Sequence, residues 1–178
     1  MNRPPDTFVT EHLFVRRPRL ADAPAIFAAY AADPEATRYL TWKPHATVAS
    51  LEDYLAIPIA EWETGVAFRY ELCLRGTDLP IGSIHLRPHN TSMLFGYVLA
   101  KVWWGRGFMA EALRFTVDWA LGQPEVFRAY AFCDAENPAS ARVMEKAGMT
   151  REGILRRWSI CPNLGPEPRD CIVCAKVR

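Results

Sequence analysis

An α/β (α+β) fold in one domain, built on a mixed and mostly antiparallel sheet, follows from three features of the sequence. Short apolar, β-prone runs at residues 67–74, 80–86 and 94–99 are separated by turn residues, as in an antiparallel meander. A segment of helical period over residues 108–119 then separates the run at 94–99 from another at 126–132, and strands joined by such a crossover pair in parallel. Two long strand-like runs, 153–161 and 169–177, close the chain as a hairpin around a Pro/Gly loop at 162–168.

Taken in order, residues 1–7 are polar and proline-rich and read as a flexible end, leaving 8–178 as the domain. Residues 8–17 alternate loosely and read as the first strand, ended by Pro18. Asp22 is placed to cap a helix over Ile26, Phe27 and Tyr30. The loop 38–45 is dense in aromatic and polar groups, among them Tyr39 and Trp42. A second helix spans 48–64, with Pro58 predicting a kink or an early end. Arg75-Gly76-Thr77-Asp78 makes a hairpin of the strands 67–74 and 80–86.

The stretch 94–120 carries the chemistry. After the apolar run comes the turn Trp104-Gly105-Arg106-Gly107, then a helix with Phe108, Ala112, Phe115 and Trp119 at one spacing and Gly122 at its C-cap. The first amides of a helix lack intrahelical partners and carry the positive end of its dipole, glycines let an anion approach, and Arg106 adds a charge. A P-loop is excluded because no Gly-Lys-Ser/Thr ends the turn. The dinucleotide fingerprint is a poor match because residues 100–104 separate strand from glycines. Further on, Asn137 is a good N-cap with Pro138 at the first helical position, and Gly148 is a good stop.

Val102-x-x-Gly105-x-Gly107 resembles Gln/Arg-x-x-Gly-x-Gly/Ala, the acyl-CoA-binding segment of the GNAT superfamily of N-acetyltransferases, with Val102 in place of the polar residue. Trp104-Gly-Arg-Gly-Phe-Met-Ala-Glu-Ala112 is similar to the subfamily of RimJ/RimL type, which acetylates the N-termini of ribosomal proteins. The opening Leu13-Phe-Val-Arg-Arg-Pro-Arg-Leu-Ala-Asp-Ala23 and the segment Asn137-x-x-Ser140 through Gly148-Met149 agree with that pattern in order and separation.

The resemblance implies helices on both faces of the sheet, strands that splay where 94–99 meets 126–132, and acetyl-CoA as cofactor. It places pantetheine along the backbone of Tyr97, Val98 and Leu99, and pyrophosphate on Trp104, Gly105, Arg106, Gly107, Phe108, Met109 and Ala110. Asn137 would hold the pantetheine arm. The family's frequent thiolate-protonating Tyr is replaced by Met144, so Ser140 becomes the candidate acid. Tyr39, Trp42 and His85 are candidate acceptor contacts. Glu71, His85, Asp134 and His45 stay open as bases, and a carboxylate expected near Trp158-Ser159 is absent.

The acceptor implied is a primary amine, foremost a protein N-terminal α-amine. A small amine or a catalytically silent acyl-CoA-binding module are the alternatives, and a homodimer is compatible. A formal charge of +1 gives no reason to expect nucleic acid or an anionic membrane surface, and no apolar run approaches the roughly 18 residues of a membrane span. Five scattered cysteines suit a reducing cytoplasm. Cys171-x-x-Cys174 falls on a strand with side chains on opposite faces, so neither a redox pair nor a metal site is read there.

Overall fold

The computed structural model describes residues 2–178; Met1, the first residue of the predicted flexible end, lies outside them. Within that end Pro4 is buried, and the Pro5 carbonyl accepts the Tyr70 hydroxyl at 2.6 Å. The strands are β1 (Thr7–Val9), β2 (Leu13–Arg16), β3 (Phe68–Leu74), β4 (Pro80–His89), β5 (Ser92–Leu99), β6 (Arg128–Asp134), β7 (Thr150–Ile160) and β8 (Pro168–Val177). They form one sheet in the order β1-β2-β3-β4-β5-β6-β8-β7, with β5–β6 the one parallel pair among the described residues. The helices are α1 (Ala23–Ile26), α2 (Pro34–Thr37), α3 (Val48–Thr64), α4 (Phe108–Leu121) and α5 (Pro138–Lys146). The meander, the parallel crossover pair and the closing hairpin all stand where the sequence predicts them.

Several elements differ from the sequence reading. Residues 8–17 form a two-strand hairpin, because Thr10 closes a turn on Leu13 through its amide (2.9 Å) and its hydroxyl. Asp22 does not cap a helix: its carboxylate is taken by Arg16 and by the Arg19 amide. The segment over Ile26, Phe27 and Tyr30 is a 3-10 turn (Leu20–Asp22), then α1, then a π-helical stretch (Phe27–Ala31). Gly122 takes the C-cap of α4 in right-handed helical conformation, with no left-handed turn.

Pro58 does not end α3. An interior proline costs about 3 kcal/mol. The turn beyond it carries Trp62, fully buried, and burying an aromatic of about 200 Å² at about 25 cal/mol per Å² outweighs that cost. Trp62 meets Phe68 and Tyr70 edge-on at 5.0 and 5.1 Å, and its Nε1 donates to the Arg69 carbonyl.

The buried stripe of α4 is also rotated from the predicted one. Met109, Ala112, Leu113, Thr116, Val117 and Ala120 face the sheet, whereas Phe115 is 36% exposed and stacks on Phe8 of β1 at 4.1 Å. Small residues let the helix sit close to the strands, and the bulky ones fill its margins.

Strand alternation divides the core into two layers. Leu13, Val15, Tyr70, Leu72, Ile84, Leu86, Met93 and Phe95 pack under α4 and α5. On the other face, under α1 to α3, apolar groups from Ile26 to Val98 surround a buried charged row. Arg16 is held bidentate by Asp22 at 2.8 and 2.7 Å. Arg69 donates to Glu71 at 2.7 Å and to the Tyr30 hydroxyl at 3.1 Å, and Tyr30 donates to Glu71 at 3.1 Å. Register places Arg16 opposite Glu71 and Glu71 opposite Ser83, so the row crosses three strands. Burial pushes the Glu71 carboxyl up, opposed by the Arg69 guanidinium.

Removing one partner of a buried pair leaves the other charge unanswered. Glu71→Ala is expected to destabilise by about 3–5 kcal/mol in urea unfolding. The double change Arg69→Met with Glu71→Leu should recover most of that loss, which additive single-site effects would not.

Candidate active site

The site begins where the parallel pair gives out. β5 and β6 are paired from Ser92–Arg128 to Phe95–Ala131 and no further. Beyond that, β5 stays with β4 as far as Leu99, and β6 stays with β8 as far as Asp134. Each strand follows its outer neighbour, and the gap opens into a cleft of about 710 Å³. The inner edge of β5 at Gly96–Leu99 thus carries backbone groups with no strand partner across the gap, a template for the amides of an extended ligand.

At one end of the cleft stands the head of α4. Gly105 and Gly107 have φ of +78° and +87°, a left-handed conformation that side chains adopt only with strain. A Cβ on either would meet nothing within 4 Å, so both present bare backbone to open space. No side chain caps the helix, which leaves its first amides for an anion. Trp104 fixes the turn by donating from Nε1 to the Leu99 carbonyl at 2.7 Å.

Arg106 lies between the two glycines of the turn. Its guanidinium lies over the Trp103 ring at 4.8 Å, and it is not among the cleft-lining residues. The cations in the cleft wall here are Arg142 and Lys146 of α5, a helical i, i+4 pair that the sequence reading missed. Val102 is 73% exposed and outside the lining, so its departure from the family pattern leaves the cradle untouched.

Mid-cleft, α5 begins. Asn137 Oδ1 accepts the Ser140 amide at 3.1 Å, which orients the side chain and leaves its NH2 to donate to a ligand. Ser140 Oγ lies 2.8 Å from the Tyr97 hydroxyl, and Tyr97 donates to the Ser140 carbonyl at 3.0 Å. With the phenol proton on that carbonyl, Ser140 donates to Tyr97. Burial holds the Tyr97 phenol above its ordinary range, so it stays protonated. Sequence reading assigned Tyr97 only a backbone role; the phenol became visible once β5 and α5 were brought together. Beside them the Cys133 thiol is pushed up to about 12 by burial and is a poor nucleophile. Met144 is fully buried and outside the cleft.

The other end is closed by the 38–45 loop. Tyr39 and Trp42 line the cleft, and Trp42, His45 and Tyr54 cluster with ring centroids 5.4–6.2 Å apart. The loop is stitched to the far side of the splay. Tyr39 donates to the Glu136 carbonyl at 3.1 Å, and Asn163 Nδ2 reaches the carbonyls of Thr37 and Trp42 at 2.7 and 2.9 Å.

None of the four candidate bases stands on the cleft wall as an unengaged proton acceptor. Glu71 is fully buried with both oxygens engaged and does not line the cleft. His45 also lies off the cleft wall, and burial lowers its pKa. Asp134 accepts from Arg169 at 2.5 Å and from the Glu136 amide at 2.9 Å; burial raises its pKa, but these bonds more than reverse that and hold it below its ordinary value. His85 lines the cleft, but Arg87 donates to its Nδ1 at 2.9 Å, which puts the ring hydrogen on Nε2. That nitrogen is 3.3 Å from Glu61 without hydrogen-bond alignment and has no hydrogen-bond partner among the described residues.

The comparisons with known proteins agree with this geometry. Residues 12–150 match the family profile described as an acetyltransferase (GNAT) domain. Among curated proteins, an uncharacterized N-acetyltransferase p20 of Bacillus licheniformis is 29% identical over 156 residues, 86% of this chain and 87% of that protein. Among solved structures, the microcin C7 self-immunity acetyltransferase MccE in complex with acetyl-CoA and AMP superposes with a TM-score of 0.86 at 16% identity. The superposition covers 99% of this chain and 98% of that one. RimL, a ribosomal L7/L12 alpha-N-protein acetyltransferase in complex with coenzyme A, gives 0.82 at 18% identity, with 96% of each chain covered. The chain belongs to the GNAT family and is an acetyl-CoA-dependent N-acetyltransferase. The residues present suit that cofactor: a strand edge with no neighbouring strand for its amides, and bare helix-head backbone with two cations for its phosphates.

Two outcomes test these assignments. Gly107→Glu places a carboxylate where the phosphates belong and should weaken acetyl-CoA binding at least ~100-fold, measured by calorimetry, while the circular-dichroism spectrum is kept. His85 is pushed down to about 3 by burial and by the charges of Arg87 and Arg69, against an ordinary 6.5. A group with a depressed native value contributes stability above the unfolded value and loses it as pH falls. His85→Asn should therefore flatten the loss of stability between pH ~6.5 and ~3 by on the order of a few kcal/mol in pH-dependent urea melts.

Proposed function

We propose that this enzyme acetylates a protein or peptide N-terminal α-amine, as its likeness in fold to RimL supports, by direct transfer in a ternary complex. The observation that carries the mechanism is the Tyr97–Ser140 pair, set in the cleft between the helix-head cradle and the acceptor loop. Acetyl-CoA, when bound, supplies the acyl group as a thioester and leaves as the thiol.

Tyr97 to Leu99 and the head of α4 hold the cofactor, with Asn137 donating from its side-chain NH2. Tyr39 and Trp42 frame the approach of the amine to the acyl carbon. As the carbon–nitrogen bond forms and the carbon–sulfur bond breaks, the Ser140 hydroxyl gives its proton to the leaving sulfur. For this step the Tyr97 hydroxyl turns its proton from the Ser140 carbonyl to Ser140 Oγ, 2.8 Å away, and Ser140 is replenished from Tyr97, which regains a proton from water. The amine releases its own proton to water in the cleft, since each of the four candidate side chains is either off the cleft wall or already engaged. Cys133, held as a thiol, takes no acyl group, which favours one-step transfer over a two-step relay. The five free cysteines suit a reducing, cytoplasmic setting, and no helix among the described residues is long and apolar enough to cross a membrane.

Ser140→Ala and Tyr97→Phe should each lower kcat by ~10²-fold or more on an N-terminal peptide, with acetyl-CoA affinity within ~2-fold of wild type. Initial rates of CoA release beside titration calorimetry read both quantities. An unaltered kcat in both variants would return the pair to a capping role.

A further inference from the structure

We propose that the acceptor carries a carboxylate close to its reactive amine and that Arg87 binds it; this rests on the reading of the cleft as an N-acetyltransferase acceptor site. Arg87 sits on β4 with Leu94 opposite it on β5, two pairs beyond His85 and Gly96, beside the point where β5 and β6 part. Its side chain falls on the same sheet face as His85 and Arg69, under α3, whereas α4 packs on the opposite face. Arg87 is therefore on the acceptor side of the sheet and not in the phosphate cradle.

The guanidinium is held without being neutralised. Nη2 donates to His85 Nδ1 at 2.9 Å, and Nη1 lies over Gly96, 3.9 Å from where a Cβ would stand. His85 contributes a neutral acceptor that orients Arg87 and leaves its charge intact. Arg87 is exposed, lines the cleft, and has no carboxylate within ion-pair distance among the described residues.

The rest of the wall supports the same sign. Each carboxylate lining the cleft is already answered: Glu35 by Lys101, and Asp134 and Glu136 by Arg169. Arg69 is matched by Glu71. Arg38 lies over the Tyr39 ring at 5.5 Å and adds a second cation with no carboxylate partner among the described residues. A polyamine finds no free anion here. A planar guanidinium held from one side suits a carboxylate, which it binds in two-point fashion. Two sources of that group fit: an acidic second residue of an N-terminal peptide, or the α-carboxylate of a free amino acid.

Steady-state kinetics separate these. Peptides with Glu, Gln or Lys at the second position form one series, and free amino acids against their amides form another, all with saturating acetyl-CoA. Wild type should favour the anionic member of at least one series by ~10-fold or more in kcat/KM, mostly through KM. The peptide series responding identifies a peptide carboxylate, and the amino-acid series an α-carboxylate. Arg87→Gln should abolish that preference while leaving the neutral acceptor's rate, and Arg87→Glu should turn it towards the Lys peptide. Acetyl-CoA affinity and melting temperature verify that both variants are folded. No charge preference in wild type, or a preference that survives Arg87→Gln, overturns the proposal while the acetyltransferase reading stands. Absence of turnover with every amine overturns the acceptor-site reading and the proposal with it.

Discussion

The early parting of β5 and β6 is the constraint on which the rest of this molecule depends. Parallel pairing holds from Ser92 to Phe95, and the two strands then follow different neighbours. Opening a sheet at its centre forfeits ladder hydrogen bonds and exposes backbone groups that must find water or a ligand. The benefit is a slot through the domain, with a strand edge on one wall and the head of α4 at one end. A closed sheet would bury both.

A gap in the middle of a sheet needs bonds across it. Tyr97 of β5 meets Ser140 of α5 on the far side, and Tyr39 and Asn163 tie the acceptor loop to the segments that follow β6 and β7. Asp134, at the open end of β6, is fastened to Arg169 of β8. On the N-terminal side, the buried row of Arg16, Asp22, Tyr30, Arg69 and Glu71 fixes α1 and the π-helical stretch against the strands. These contacts set the width of the slot, and with it the distance between cofactor and acceptor groups.

The slot is also graded in chemistry. Uncapped amides with Arg142 and Lys146 face one end. A hydroxyl pair lies in the middle, where charge develops on sulfur. Aromatic rings and uncompensated guanidinium groups face the other end. Loss of solvent keeps the buried Cys133 and the half-buried Tyr97 protonated, so the centre of the slot offers proton donors and no competing nucleophile.

Local rules were enough for much of this. The order and type of most strands, the extent of α3, the caps of α5 and the paired glycines before α4 each rest on periodicity or on a backbone conformation that a few residue types adopt. Such signals are contained within ten or fifteen neighbours in the chain. The motif Gly105-x-Gly107 and the segment from Asn137 carried the cofactor class for the same reason. What the sequence could not determine was set by partners far apart in it. Asp22 left its capping role because Arg16, buried beneath it, needed an answering charge. The buried face of α4 was selected by the strands it lies on, and Pro58 stayed inside α3 because Trp62 beyond it found a pocket. The Tyr97 phenol, the orienting of Arg87 by His85, and the exclusion of Arg106 from the cleft depend on distances between side chains on different elements. Those distances exist only after the sheet has parted, so the sequence by itself determined the cofactor and the reaction class, and the tertiary structure decided which groups stand ready to act in the cleft.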